Sequence, residues 1–399
     1  MSRLHLDISG QHLSCYDQTN VKQFVLRKPI FNDQPSQSHG IKTFYVLLKN
    51  KTTLRLLSFI STILLMSNIG YAASGRILAE VDTPANDPRL SNVMFRTLDS
   101  GPVIGANGHV TFTALLTDGT GGNSIDANNN DSVWIGTQDD ILGTQLRLAI
   151  QENDPAPGTE AGVVFGDVHS HPATQLIVGD TGSVMLETVV KGTGVNGAND
   201  TGLWLIAPDD TVTLITREGS QFSNFLSWAF VDSVANGPFM ALYATDQASG
   251  SDGIWRWSPL SGFELVALEG NSATSAFPNC SYGQIARPVI NRLGQIAFDT
   301  SLAADVPLVT CPTTVFKWSG SGEPQAVVSS GDVVPNFPVG SEFGGFSIGA
   351  NNVDPKINDA GDVAFLNRVS VPGTQQFFAR PSLWVAKSNG DLALAMVQN

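Results

Sequence analysis

The sequence predicts an all-β protein, a β-propeller of about five four-stranded blades, and three observations lead to that prediction. A short motif recurs along the chain. The strand inside this motif has no polar face. The composition favours turns, with 39 Gly and 21 Pro among 399 residues and a charged fraction of 15%. After the first 73 residues we find no amphipathic helical run of useful length. Six blades and an open β-rich solenoid are the alternatives.

The repeated motif predicts a tight turn followed by a doubly buried strand. Its copies are the full ones at 289–298 and 356–365, the looser ones at 103–112 and 177–186, and a degenerate one at 235–241. Asn at the first turn position and Gly at the fourth suit a type I turn, because Asn bonds its own backbone and Gly accepts a positive φ. The following residues Ile296–Phe298 are apolar on both faces, as expected of a strand covered by neighbouring blades.

Three further strand types follow each motif in a fixed order. The first ends in tryptophan, at Trp134, Trp204, Trp255, Trp318 and Trp384. The second is a short strand of the type seen at Leu146–Ile150. A turn rich in Gly and Pro, clearest at Asp154–Gly158, then leads to a strand that begins with an aromatic such as Phe165 or Tyr282. This order predicts a four-stranded repeating unit.

The two ends of the repeat region predict ring closure. Gly75–Val81 resembles the third strand type, and Val93–Leu98 resembles the fourth. We therefore expect these N-terminal strands to complete the last blade, which would hide both free sheet edges.

The first 73 residues are predicted to lie outside this domain. Residues 1–45 are interpreted as a mis-annotated or disordered extension, and 46–73 as a signal peptide, because basic residues precede the apolar run 56–66 and small residues follow it. That run is shorter than the ~20 residues of a spanning helix, so no stable membrane span is expected after cleavage. Residues 74–399 form the single repeat domain, exported to the periplasm, the extracellular space or the cell surface.

The motif residues resemble the bacterial choice-of-anchor tandem-repeat proteins defined by an NxxGxxAF sequence. Asn291, Gly294, Ala297 and Phe298 match that pattern in full, and so do Asn358, Gly361, Ala364 and Phe365. The resemblance covers residues 75–399. It implies an exported, surface-associated repeat protein with no established activity. The anchoring segment that many members carry at the C-terminus is not seen before Asn399, which leaves the anchoring expectation open.

Two groups of residues are candidates for metal binding. Asp126, Asn128 and Asn130 place oxygen atoms at alternate positions of a long loop, as a calcium loop does, although position six is Asp131 rather than glycine. A solvated hairpin turn is the alternative interpretation. Asp167, His169 and His171 would project to one face of a strand and suggest a metal pair, with ordinary surface or core histidines as the alternative. No other cofactor is predicted.

Two cysteines remain after the signal segment, Cys280 and Cys311. Both are predicted to lie in loops at the same end of the blades, so a disulfide is a candidate in an exported chain. The alternation of strands also puts the long loops at one end and the motif turns at the other.

Function is less well specified than fold. A net charge of −14 argues against nucleic acid as a partner. The first hypothesis is a non-enzymatic exported propeller, a monomer that binds a surface glycan or protein. The alternative is a secreted glycan-active hydrolase or lyase on the same scaffold, but no catalytic residue stands out in the sequence.

Overall fold

The computed structural model describes residues 79–98, 102–105, 108–119, 124–136, 146–169, 174–273, 275–345, 355–373 and 381–397, together with the backbone of three N-terminal strands. The chain divides into two compact units, residues 1–77 and 78–399. The predicted signal segment lies outside the described residues. Within the described part, no helix is long and apolar enough to span a membrane.

The first unit contains a three-stranded antiparallel sheet in the order β1-β2-β3. Its strands are β1 (Leu4–Ile8), β2 (Gln11–Gln18) and β3 (Val21–Arg27). They lie within the segment predicted as an N-terminal extension.

The second unit is an all-β propeller, and its described residues form five sheets of four antiparallel strands in chain order. The first sheet contains β4 (Val93–Leu98), β5 (Val103–Ile104), β6 (Val110–Asp118), β7 (Asp131–Gly136) and β8 (Arg147–Gln151). The second contains β9 (Val163–Phe165), β10 (Gln175–Val178), β11 (Val184–Gly192), β12 (Thr201–Ile206) and β13 (Val212–Arg217). The third contains β14 (Phe222–Ser233), β15 (Gly237–Asp246), β16 (Asp252–Ser258) and β17 (Gly262–Leu268).

The last two sheets repeat the same arrangement. The fourth contains β18 (Cys280–Ile285), β19 (Val289–Ile290), β20 (Ile296–Ala304), β21 (Thr313–Trp318) and β22 (Gln325–Ser329). The fifth contains β23 (Glu342–Phe343), β24 (Lys356–Ile357), β25 (Val363–Ser370), β26 (Pro381–Ala386) and β27 (Leu392–Val397). In four sheets the first strand is divided into two segments that both pair with the second strand. In the third sheet it is continuous over the 12 residues of β14.

The predicted closure by N-terminal strands is wrong. β4 pairs with β6 in the first sheet, and the fifth sheet has four strands of its own, from β23 to β27. Each aromatic strand belongs with the motif strand that follows it, because the motif turn joins the two as a local hairpin. The described residues 79–81 are not part of a strand. The repeating unit therefore begins one strand earlier in the chain than the sequence suggested.

The motif turns have the predicted hydrogen bonds. In the fourth sheet, the Gly294 amide donates to the Asn291 carbonyl at 2.9 Å, and the φ of Gly294 is 73°. The Asn291 side-chain oxygen accepts the amides of Leu293 and Gln295, both at 3.0 Å. Asn358 and Gly361 repeat the backbone bond at 2.9 Å. Asn and Gly therefore recur because this turn needs a side-chain acceptor and a residue with positive φ.

The motif strand is buried on both faces, as predicted. Ile296, Ala297 and Phe298 are all fully buried. Phe298 stacks on Phe316, with 5.6 Å between ring centroids, in a core shared with the third sheet. Ala297 belongs to a different core, which contains Trp384 of the fifth sheet. The second, third and fourth sheets are thus each packed between two others through apolar side chains, and that burial is the main stabilising contribution.

Strand direction gives the propeller two chemically different ends. The end that carries the five motif turns is called the motif end, with described turn residues at 105, 108–109, 179–183, 233–237, 291–295 and 358–362. The opposite end is called the loop end, with the described connecting residues 119, 124–130, 152–162, 193–200, 218–221, 247–251, 269–273, 275–279, 305–312 and 330–341.

Candidate functional site

Three carboxyl groups meet at the loop end, between the first and second sheets. Asp131 begins β7, Glu152 follows β8, and Asp167 lies two residues beyond β9. The pairing of the strands brings the first two together, since the Glu152 amide donates to the Asp131 carbonyl at 2.8 Å. The carboxyl groups of Glu152 and Asp167 lie close enough to the Asp131 side chain to raise its pKa. These residues form what we call the carboxyl site.

Burial sets the protonation of this site. Asp131 is 5% exposed and Glu152 is 7% exposed. Burial raises the pKa of Asp131 to about 7, and the negative charges of Asp167 and Glu152 contribute to the rise. Asp131 is therefore partly protonated at neutral pH.

Lys191 supplies a positive charge beside this group. Its Nζ atom lies 2.6 Å from Oε1 of Glu152, and the lysine side chain is 42% exposed. Lys191 lies near the end of β11 in the second sheet, so the ion pair joins the first sheet to the second. The contact is a charge-assisted hydrogen bond that ties Lys191 to the Glu152 carboxylate.

The same strand position carries glutamate in two other sheets, where its contacts differ. Glu218 and Glu269 also follow the last strand of a sheet, and their amides donate to Thr201 and Asp252 as that of Glu152 does to Asp131. The carboxylate of Glu269 accepts the backbone amide of Ile285 at 2.9 Å.

Glu218 has the same kind of contact, since its carboxylate accepts the amide of Phe225 at 3.3 Å. These two glutamates hold the first strand of the next sheet in place. The Glu152 carboxylate is paired with Lys191 instead, which distinguishes the first copy from its repeats.

The predicted calcium residues lie in a loop closed by its own hydrogen bonds. The Asp126 carboxylate accepts the Asn128 amide at 2.7 Å, and the Asp126 amide donates to the Asn129 side chain at 2.7 Å. In the second sheet Asn196 accepts the Ala198 amide and donates its own amide to Asn199 in the same pattern. Asp126 thus makes the turn contacts of an asparagine. Calcium binding by Asp126, Asn128 and Asn130 stays a prediction.

This loop nevertheless lies beside the carboxyl site. The carbonyl of Asn128 accepts a hydrogen bond from the Asn153 side chain at 2.7 Å, and that of Asn129 accepts one from Gln151 at 2.7 Å. Both donors flank Glu152. The loop predicted to bind calcium and the strand predicted to bind a metal through Asp167 therefore converge on one region.

The second predicted metal group is placed only in part. The His169 amide donates to the Asp167 carboxylate at 3.2 Å, while His171 lies outside the described residues. Within the described ranges, no group of three or more His, Cys, Asp or Glu side chains is arranged to hold a metal ion. Cys280 and Cys311 form a disulfide at the loop end of the fourth sheet.

Sequence reasoning missed Asp131, Glu152 and Lys191. A signal was present, because Glu152, Glu218 and Glu269 all stand immediately after the last strand of a sheet. Superimposing the repeats on that position would have drawn attention to the aspartates across the hairpin, Asp131 and Asp252.

The fold and this site define an all-β propeller with a buried carboxyl group at its loop end. The chain belongs to a family of unknown function, DUF7453, whose model matches residues 61–398. No curated protein matches the chain.

Several solved structures are similar over much of their length. A polysaccharide lyase of family PL25, an ulvan lyase, is 11% identical, with 75% of this chain and 69% of the other covered and a TM-score of 0.31. An α-L-arabinanase from Penicillium chrysogenum is 14% identical, with 73% and 78% covered and a TM-score of 0.30. A protein of unknown function from Dyadobacter fermentans is 12% identical, with 61% and 73% covered and a TM-score of 0.30. At these scores the similarities carry no argument about activity.

Proposed function

We propose that the protein is an exported propeller that acts on a glycan as a hydrolase or lyase, with the carboxyl site as its acid and base. One observation carries the proposal: Asp131 is buried beside the carboxyl groups of Glu152 and Asp167, and its pKa is raised to about 7. Cleavage of a glycosidic bond by acid and base catalysis requires carboxyl groups in different protonation states at one pH. The raised pKa of Asp131 supplies a carboxyl group that can carry a proton near neutral pH.

The three carboxyl groups have different roles in this proposal. Asp167 is partly exposed, whereas Asp131 and Glu152 are buried. Asp167 is therefore the group that meets the substrate. Asp131 can carry a proton near neutral pH, and Glu152 is ion-paired with Lys191. In this proposal Asp131 and Glu152 are positioning residues beside Asp167.

The second candidate function is a binding module without catalysis, for a surface glycan or a protein. The burial of Asp131 and Glu152 favours it, since groups with so little exposure can serve to join two sheets. The contacts of Glu218 and Glu269 with backbone amides show that this strand position also serves the scaffold. The two candidate functions predict different effects on polysaccharide cleavage when Asp167 is replaced.

Activity on a panel of polysaccharides tests the proposal, with release of reducing ends and of unsaturated products both measured. Asp167→Asn should lower the rate at least roughly 100-fold, the usual effect of losing an acid–base group. Glu269→Gln is the matched control, because it alters the repeat equivalent of Glu152 and preserves an acceptor for Ile285. Binding without cleavage across the panel would favour the binding module. Cleavage that survives Asp167→Asn would place the chemistry elsewhere.

A further inference from the structure

A cavity of about 530 Å³ lies beside the last strand of the second sheet, and nothing in the proposed chemistry uses it. Its lining includes Glu160, Asn199, Thr216, Arg217, Glu218 and Phe263. The volume is in the range of small-ligand sites. The lining combines one cation, two carboxyl groups, other hydrogen-bonding groups and an aromatic ring. Phe263 is held in place by Phe222, with 5.1 Å between the ring centroids.

Arg217 is the central residue of this cavity. It is 9% exposed, which is unusual for an arginine. Its Nε atom donates to the carbonyl of Asn199, and its Nη1 atom lies 2.8 Å from Oε2 of Glu160. Within the described residues these contacts use Nε and Nη1, so Nη2 is available to a ligand.

The partner of Arg217 is easily exchanged. The Glu160 side chain is 78% exposed, and ion pairs with an exposed partner contribute little to stability. A buried guanidinium gains more from a carboxylate that contacts two of its nitrogen atoms in one plane. A ligand carboxylate that bonds Nη1 and Nη2 would therefore displace Glu160 toward solvent.

We propose that this cavity binds an acidic sugar residue, with its carboxylate on Arg217 and its ring beside Phe263. The choice of a sugar rests on the proposed function, whereas the choice of a carboxylate rests on Arg217. Asn199 and Thr216 contribute polar atoms to the lining of this cavity. Because the chain has a net charge of −14, recognition must come from this local geometry rather than from long-range attraction.

Titration of the full chain with sodium glucuronate tests the inference, with glucose as the neutral sugar of matched shape. Glucuronate should bind and glucose should bind at least tenfold more weakly. Glu160→Gln removes the competing carboxylate, so glucuronate should bind roughly two- to fivefold more tightly. Arg217→Lys keeps the charge but loses the planar fork, so binding should weaken about tenfold. Thermal unfolding of both variants checks that they fold.

Two results would overturn the inference. One is equal affinity for glucose and glucuronate, and the other is an unchanged glucuronate affinity in Glu160→Gln. Asp167→Asn separates this inference from the proposed function, since it should leave glucuronate binding unaltered. If the polysaccharide panel shows no cleavage and Glu160→Gln still strengthens glucuronate binding, the proposed catalysis is wrong and the acidic-sugar site stands.

Discussion

The Nη2 atom of Arg292 lies 2.6 Å from Oδ2 of Asp180, although the two residues belong to motif turns of the fourth and second sheets. The Nη1 atom of the same arginine is 3.6 Å from the carboxylate of Asp359 in the fifth sheet. Its carbonyl accepts the Asn236 side chain of the third sheet at 3.1 Å. One residue thus links four of the five motif turns. Turns of sheets that are not neighbours meet here because the sheets curve about a common axis.

Replacing Arg292 should loosen the motif end. Arg292→Met removes two ion pairs, and since the arginine side chain is 48% exposed we expect a loss of about 1 kcal/mol that shrinks at high salt. Arg89→Met is the matched control, with 47% exposure and its nearest ion pair to Asp87, two residues away. Thermal unfolding at about 20 mM and about 300 mM salt measures the difference, because charges are screened weakly at the first concentration and strongly at the second. Equal effects of the two variants would mean that Arg292 does not link the turns.

The two full motif copies should differ in their tolerance to substitution. Asn291 is 3% exposed, and its Nδ2 atom reaches the carbonyl of Asn358 in the next turn at 2.7 Å. Asn358 is exposed, and its side chain bonds Asp362 within its own turn. Asn291→Ala should therefore cost about 3 kcal/mol and Asn358→Ala about 1 kcal/mol. Urea unfolding of both variants checks this order, and the reverse order would show that the contact between turns contributes nothing.

The fold could be predicted from sequence because its determinants are local. Asn291 and Gly294 specify a turn, and the apolar residues Ile296–Phe298 require cover on both faces. The starting point of the repeat could not be predicted. Four strand types that follow one another in a repeating order give the same sequence pattern whichever type comes first in a sheet. Only the hydrogen-bond pairing therefore shows which strand is the partner of Val93–Leu98.

The carboxyl site could not be predicted in the same way, because it depends on contacts between residues that are far apart in the sequence. Asp167 was predicted together with His169 and His171 on one face of a strand, and that strand is wrong for the described residues, because Asp167 and His169 lie beyond the end of β9. Its partners Asp131 and Glu152 lie on other strands and become neighbours through the pairing of β7 with β8 and the packing of two sheets. The sequence carries no mark of that packing.

The disulfide should stabilise the loop end of the fourth sheet. Cys280 and Cys311 are separated by 31 residues, and closing a loop of that length contributes about 4 kcal/mol by restricting the unfolded chain. The double variant Cys280→Ser/Cys311→Ser should have a free energy of unfolding that is lower by that amount, as measured by urea unfolding. Reduction of the wild type should reproduce the loss, and the reducing agent should leave the double variant unaffected. If the reducing agent also lowers the unfolding free energy of the double variant, its effect on the wild type has a cause other than this disulfide.

Glu187 should make stability depend on pH near neutrality. It is 5% exposed in β11, and Trp228 donates a hydrogen bond to its carboxylate. Burial raises the pKa of Glu187 to about 7, and this rise exceeds the opposing effect of the Trp228 bond. Between pH 4.5 and 7 the folded state binds the proton more tightly than the unfolded state. The stabilisation that this tighter proton binding gives the folded state is complete below about pH 4.5 and is lost as the pH rises through 7.

Glu187→Gln keeps an acceptor for Trp228 and cannot ionise. We expect it to match the wild type at pH 5 and to exceed it by about 2 kcal/mol at pH 8.5, because there the wild type buries a charge. Glu160→Gln is the control of opposite sign, since bonding to its own backbone amide and to Arg217 lowers the pKa of Glu160. That variant should match the wild type at low pH and fall below it at pH 8.5. For each variant, the difference in unfolding free energy from the wild type is followed between pH 5 and 8.5. If the two differences change with pH in the same way, burial of the Glu187 charge does not destabilise the fold.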